Sequence, residues 1–147
     1  MKILGFLAAT ALLMPAQAPA RLAPISSCLA LVLPRSGALD KITLDSFDNF
    51  IAMSWIARDP RYVMTVYAPE TRCHAEGCNA RRTQAREEAI GAHFVGRGVA
   101  ADRIRLIGLA EGIAHFGRIP ERAVIVAAHA PDAAMPACDT SRIGRTD

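Results

Sequence analysis

Short apolar runs alternate with stretches of helical periodicity along this chain. Leu29 to Leu33 is an unbroken apolar run closed by Pro34, short enough for a buried strand. From Thr43 to Arg58, Leu44, Phe47, Ile51 and Trp55 fall at i, i+3, i+7 and i+11 on one face. That spacing predicts a helix with Thr43 as N-cap, Asp45 in its first turn and Asp59-Pro60 as its stop. Burial of the four side chains would contribute about 1.5 to 3 kcal/mol each. Tyr62 to Tyr67 (YVMTVY) is rich in β-branched and aromatic residues and reads as a strand, with Pro69 just beyond it.

A second helix follows the loop Ala68 to Cys78. Asn79 is its expected N-cap, Ala85, Ala89, Ile90 and Phe94 recur at helical spacing, and Gly98 stands where a left-handed residue would end it. Ile104 to Leu109 alternates with Arg103 and Arg105 and predicts a third strand, and Gly112 to Pro120 a loop. Ala123 to Ala128 (AVIVAA) is apolar throughout and should be a central strand. The order β-α-β-α-β-β predicts an α/β sandwich of the α+β kind: a mixed four-stranded sheet with two helices on one face. From Pro131 onward no periodicity remains.

The N-terminus changes the picture, because residues 1–20 read as an export signal rather than as structure. Lys2 is followed by the apolar run Ile3 to Met14 and by small-residue cleavage sites ending at Ala18 or Ala20. The run is too short to span a bilayer. Cleavage after Ala20 would leave 21–147 as a single domain, with a core over about 28–130 and an irregular tail from 131 to 147. The expected localisation is the periplasm or cell envelope, with no transmembrane segment after cleavage.

Export makes oxidation of Cys28, Cys73, Cys78 and Cys138 the expectation. Three pairings are possible. Cys73 and Cys78 can close a small loop, which would leave Cys28 to tie Cys138. A competing reading takes Ile25-Ser26-Ser27-Cys28 as a lipoprotein box; Pro15, Pro19, Arg21 and Pro24 separate this cysteine from the apolar run, and lipidation would strand an odd thiol.

Charge narrows the function classes. The formal balance of +3 falls to +2 when Lys2 leaves with the signal, too little for nucleic-acid binding. Arg81, Arg82, Arg86 and Arg97 are the clustered exception, and Glu87 and Glu88 are expected to answer them on a solvated face. Cys73, His74 and Cys78 lack a second close pair for zinc, so neither metal nor cofactor is expected. Hydrolase, metalloprotease, phosphate-loop and dinucleotide fingerprints do not occur. Glu70 and Glu111 could form a carboxylate pair for glycan cleavage, but the expectation is that the protein is not an enzyme.

Asn79, Thr83, Arg86, Ile90, Phe94, Gly98-Val99, Arg103-Ile104, Gly108 and Glu111 together resemble, in register and without a gap, the signature of the outer-membrane protein A (OmpA)-like periplasmic domain. The resemblance implies the same sandwich and a ligand, the diaminopimelate of a peptidoglycan peptide stem, held noncovalently by an Asp before the long helix and an Arg within it. Arg86 occupies the Arg position. The Asp position falls on Thr71, and Ala68-Pro69-Glu70-Thr71 replaces the usual Gly-His-Thr-Asp, so Glu70 supplies a carboxylate only if the loop shifts by one residue. Pro120-Glu121-Arg122-Ala123 stands for the usual Asn-Arg-Arg-Val, with Arg122 keeping one contact. The implied ligand residues are therefore Glu70, Thr71, Asn79, Arg86 and Arg122. With the Asp missing, the alternative is an OmpA-like fold that acts as a periplasmic interaction or scaffold module for an envelope protein partner, without binding peptidoglycan.

Overall fold

The computed structural model describes residues 26–140 and 143; the export signal expected over 1–20 lies outside them. In chain order the elements are β1 (Ser27–Val32), α1 (Lys41–Ser54), β2 (Val63–Tyr67), α2 (Cys78–Gly96), β3 (Ile104–Leu106), α3 (Gly108–Phe116) and β4 (Ala123–His129). They build a mixed four-stranded sheet in the order β1-β4-β2-β3. β4 runs antiparallel to β1 and β2, and β3 runs parallel to β2. Every residue of β4 is buried, as its apolar sequence demands of a strand with neighbours on both sides.

Alternation along the strands divides the core in two. Met64, Val66, Val124, Val126 and Ala128 point to the face covered by α1 and α2, where Phe47, Phe50, Ile51, Ile90 and Phe94 meet them. Phe47 and Phe94 pack edge to face at 5.3 Å. The opposite face carries Tyr67 and Ile125, packed by Cys28, Ala30, Phe116, Ile119, Met135 and Cys138. The Cys28–Cys138 disulfide fastens the tail to this face, and Cys73–Cys78 closes the short loop before α2. No helix among the described residues is long and apolar enough to cross a membrane.

Several local expectations are corrected. α1 starts earlier than Thr43: the cap is Asp40, whose carboxylate accepts from the Thr43 amide at 2.9 Å, and Thr43 itself is buried. α1 also stops at Ser54. Trp55 takes a left-handed conformation (φ 59) that turns its ring 60% into solvent, beneath the Arg58 guanidinium, so the core position expected for it is filled by Phe50 and Ile56 instead.

α2 begins at Cys78 behind Gly77, and Asn79 lies inside its first turn rather than capping it. The inner face of α2 is Thr83, Glu87, Ile90, Gly91 and Phe94, whereas Ala85 and Ala89 are exposed. Glu87 is therefore not part of a solvated face. The end of α2 is as expected: Gly98 at φ 92 turns the chain so that the Val99 amide donates back to the Phe94 carbonyl at 3.1 Å.

The largest correction concerns residues 107–116. The third strand ends at Leu106, and the stretch expected to be strand end and loop forms the helix α3. Leu109, Ile113 and Phe116 lie at helical spacing, but two glycines obscure the pattern. Gly112 is there for a packing reason, since a Cβ at that position would overlap the Tyr67 ring, which stacks on Phe116 with centroids 5.6 Å apart. The tail from Pro131 is irregular as far as it is described, apart from a turn at 131–133 and one at Ile143, whose amide donates to the Thr140 carbonyl at 3.1 Å.

Candidate functional site

The site grows from the way α2 grips the chain leaving β2. Two polar side chains on the inner face of the helix take the place of strand pairing there. Glu87 accepts from the Ala68 amide at 3.3 Å, and the Thr83 hydroxyl accepts from the Glu70 amide at 2.9 Å. Held this way, Ala68 to Glu70 stays buried and Glu70 faces back toward the helix.

Arg86, one turn along α2 from Thr83, meets it. Its Nη2 donates to Glu70 Oε2 at 2.9 Å, and its Nη1 donates to the Pro69 carbonyl at 2.7 Å and to the Glu121 carbonyl at 3.3 Å. The other oxygen of Glu70 accepts from the Thr71 and Arg72 amides, each at 3.0 Å. Both side chains are nearly buried, at 13% and 12% exposed. Burial pushes the Glu70 carboxyl up, but the Arg72 amide, the Arg86 charge and the Thr71 amide outweigh it and hold the group below the usual range. Glu70 is thus an ionised acid in a cradle of donors.

This pair forms part of the wall of a polar cavity of about 200 Å³. Five arginines reach it, Arg35, Arg72, Arg82, Arg86 and Arg122, with Glu121 and the Ser36-Gly37 turn completing the lining. Arg72 pairs with the Glu121 carboxylate, and Arg122 donates to the Leu33 carbonyl at 3.1 Å. Arg35, Arg72 and Arg82 were not singled out as ligand residues by the sequence. Arg35 lies in a turn far along the chain from the other two, Arg72 in the loop before α2, and Arg82 belongs to the arginine cluster of α2, which by itself marks only a charged helix face.

The ligand residues implied by the resemblance are divided between two places. Glu70, Arg86 and Arg122 line the arginine cavity. Thr71 and Asn79 line a separate cleft of about 360 Å³ with Tyr67, Pro69, Leu109, Ile113, Arg118 and Ile119. The Asn79 side chain is occupied there, accepting from the Cys73 amide at 2.8 Å across the small disulfide loop. Glu111 lines neither space and pairs with Arg105, so it is not set against Glu70. Among the described residues no three His, Cys, Asp or Glu side chains gather as metal ligands, and Cys73 and Cys78 are spent on their disulfide.

No protein-family model matches this chain, and no curated protein matches it either.

Proposed function

We propose that this protein is an exported, OmpA-like cell-envelope module that binds the diaminopimelate end of a peptidoglycan peptide stem noncovalently at Glu70 and Arg86. The observation that carries this reading is the 2.9 Å contact between the two on the wall of the arginine cavity. Glu70 lies one residue before the position of the missing Asp, and its carboxylate nevertheless meets the Arg on the long helix. A ligand end bearing both an ammonium and a carboxylate can exchange into such a pair. Its ammonium takes Glu70, its carboxylate takes the Arg86 fork, and no charge is left unmatched. Two disulfides within the chain fit an oxidising compartment.

Retention on purified diaminopimelate-type peptidoglycan tests the reading. The wild type should be retained, and Arg86→Met and Glu70→Gln should each be released while their circular dichroism remains native. A folded wild type that passes through unretained refutes it.

A second reading keeps the fold without the ligand. It is favoured by the completeness of the internal contacts, since Arg86 and Glu70 already satisfy each other and the surrounding backbone. On that reading the protein is an envelope interaction module, and cross-linking in intact envelopes would yield a discrete protein adduct without retention on the cell wall.

A further inference from the structure

The arginine cavity holds more positive charge than the Glu70–Arg86 pair accounts for. Of its five guanidiniums, Arg86 is matched by Glu70 and Arg72 by Glu121. Arg122 has a carbonyl but no carboxylate. Arg35 and Arg82, both exposed at the rim, make no hydrogen bond or ion pair among the described residues. The lining therefore carries five positive charges against two negative ones, an excess of three in about 200 Å³. Beside them the Ser36 hydroxyl accepts from the Ala38 amide at 3.3 Å, which leaves its own hydrogen free to donate.

We infer that this rim, built from Arg35, Ser36, Arg82 and Arg122, is a binding site for a phosphate group. A guanidinium presents paired donors to paired oxygens, and three without a carboxylate offer more donors than the two oxygens of one carboxylate can use. A phosphate monoester supplies three terminal oxygens and close to two negative charges near neutral pH. The size of the cavity, about 200 Å³, agrees with a head group, since ligand pockets for larger molecules run to about 300 to 1,000 Å³. The ester chain or lipid would remain outside. This inference goes beyond the peptide-stem reading and does not need it, since Arg35 and Arg82 take no part in the Glu70–Arg86 contact.

Calorimetric titration of the intact chain with sodium phosphate and with glycerol 3-phosphate, at constant ionic strength and with acetate as the comparison anion, tests the site. Both phosphates should bind in the submillimolar range and roughly tenfold more tightly than acetate. The Arg35→Gln/Arg82→Gln variant should lose about tenfold or more, while Lys41→Gln, on the exposed surface of α1, should bind like the wild type. Arg35 and Arg82 are exposed, so the double variant should melt as the wild type does; Ser36→Ala provides a second, milder test and should weaken phosphate selectively over acetate. Flotation with phosphatidylcholine vesicles with and without phosphatidic acid identifies the source. Recruitment only with phosphatidic acid assigns a lipid head group, and titration without recruitment assigns a soluble phosphate. Absence of phosphate binding, equal affinity for acetate, or an undiminished affinity in the double variant would overturn the inference. Failure of peptidoglycan retention would leave it untouched, because that assay reads Glu70 and Arg86.

Discussion

Glu87 should make the stability of this protein fall as pH rises through the mildly acidic range. The side chain is 1% exposed, with one oxygen accepting from the Ala68 amide and the other from the Gly108 amide at 3.1 Å. Burial pushes its carboxyl up from 4.5 to about 6, the two amides pull the other way, and the negative charge of Glu111 adds to the rise. A folded-state value above the unfolded one means that the folded protein holds the proton more tightly. The contribution is fully present below about pH 4.5 and is lost as pH rises through about 6. At about 1.4 kcal/mol per pH unit, that difference amounts to ~2 kcal/mol. Urea unfolding of wild type and Glu87→Gln across this range brings out the effect, because the other titrating groups are common to both. The Gln variant should be less stable at acid pH by about 1 to 2 kcal/mol, as its amide must turn a donor toward one of the two backbone donors. The gap should then close as pH rises past 6. A constant gap, or one that widens with pH, would refute the reasoning.

Other outcomes follow from the packing. Gly112→Ala drives a methyl group into the Tyr67 ring and should cost about 3 kcal/mol in chemical unfolding, with loss of the α3 contact on that ring. Replacing Cys28 and Cys138 by Ser removes a crosslink between positions 110 apart and should destabilise by about 4 to 5 kcal/mol, against ~2 kcal/mol for Cys73 and Cys78, which are 5 apart; thermal melts of the two double variants give the ranking. Arg86→Met and Glu70→Gln should each destabilise by about 2 to 4 kcal/mol by stranding a nearly buried partner, and the double variant should cost less than the sum of the singles in a double-mutant cycle. Asp40→Ala should lower stability by about 1 kcal/mol through loss of the α1 cap, and Thr43→Ser should leave that cap intact.

The sheet and the first two helices could be read from the chain because their instructions are local. β2 and β4 are apolar and β-branched, and Phe47, Ile51, Ile90 and Phe94 repeat at helical spacing. What escaped depends on partners distant in sequence. Thr83 and Glu87 look like surface residues, and only the amides of Ala68, Glu70 and Gly108 explain their burial. α3 escaped because Gly112 fits the Tyr67 ring, a constraint imposed by another strand, and Trp55 because α1 ends one residue before it. The candidate site was half legible. Arg86 and Glu70 were named, but that they touch depends on the buried course of Ala68 to Glu70, and the arginine cavity exists only once residues 35, 72, 82, 86 and 122 converge.

The sheet order also dictates when this chain can fold. Among the described residues β4 is the last strand to be made, yet it lies between β1 and β2 and is the only strand that β1 pairs with. Ser27 waits for Ala128, and Cys28 waits longer still, for Cys138. The β2-α2-β3 segment can assemble locally, while β1 has α1 beside it but no strand partner until β4 is made. Contacts of such long sequence separation slow folding. A chain emerging N-terminus first would therefore expose the apolar edge of β1 until β4 is made, and the part of the core that β1 covers would close late.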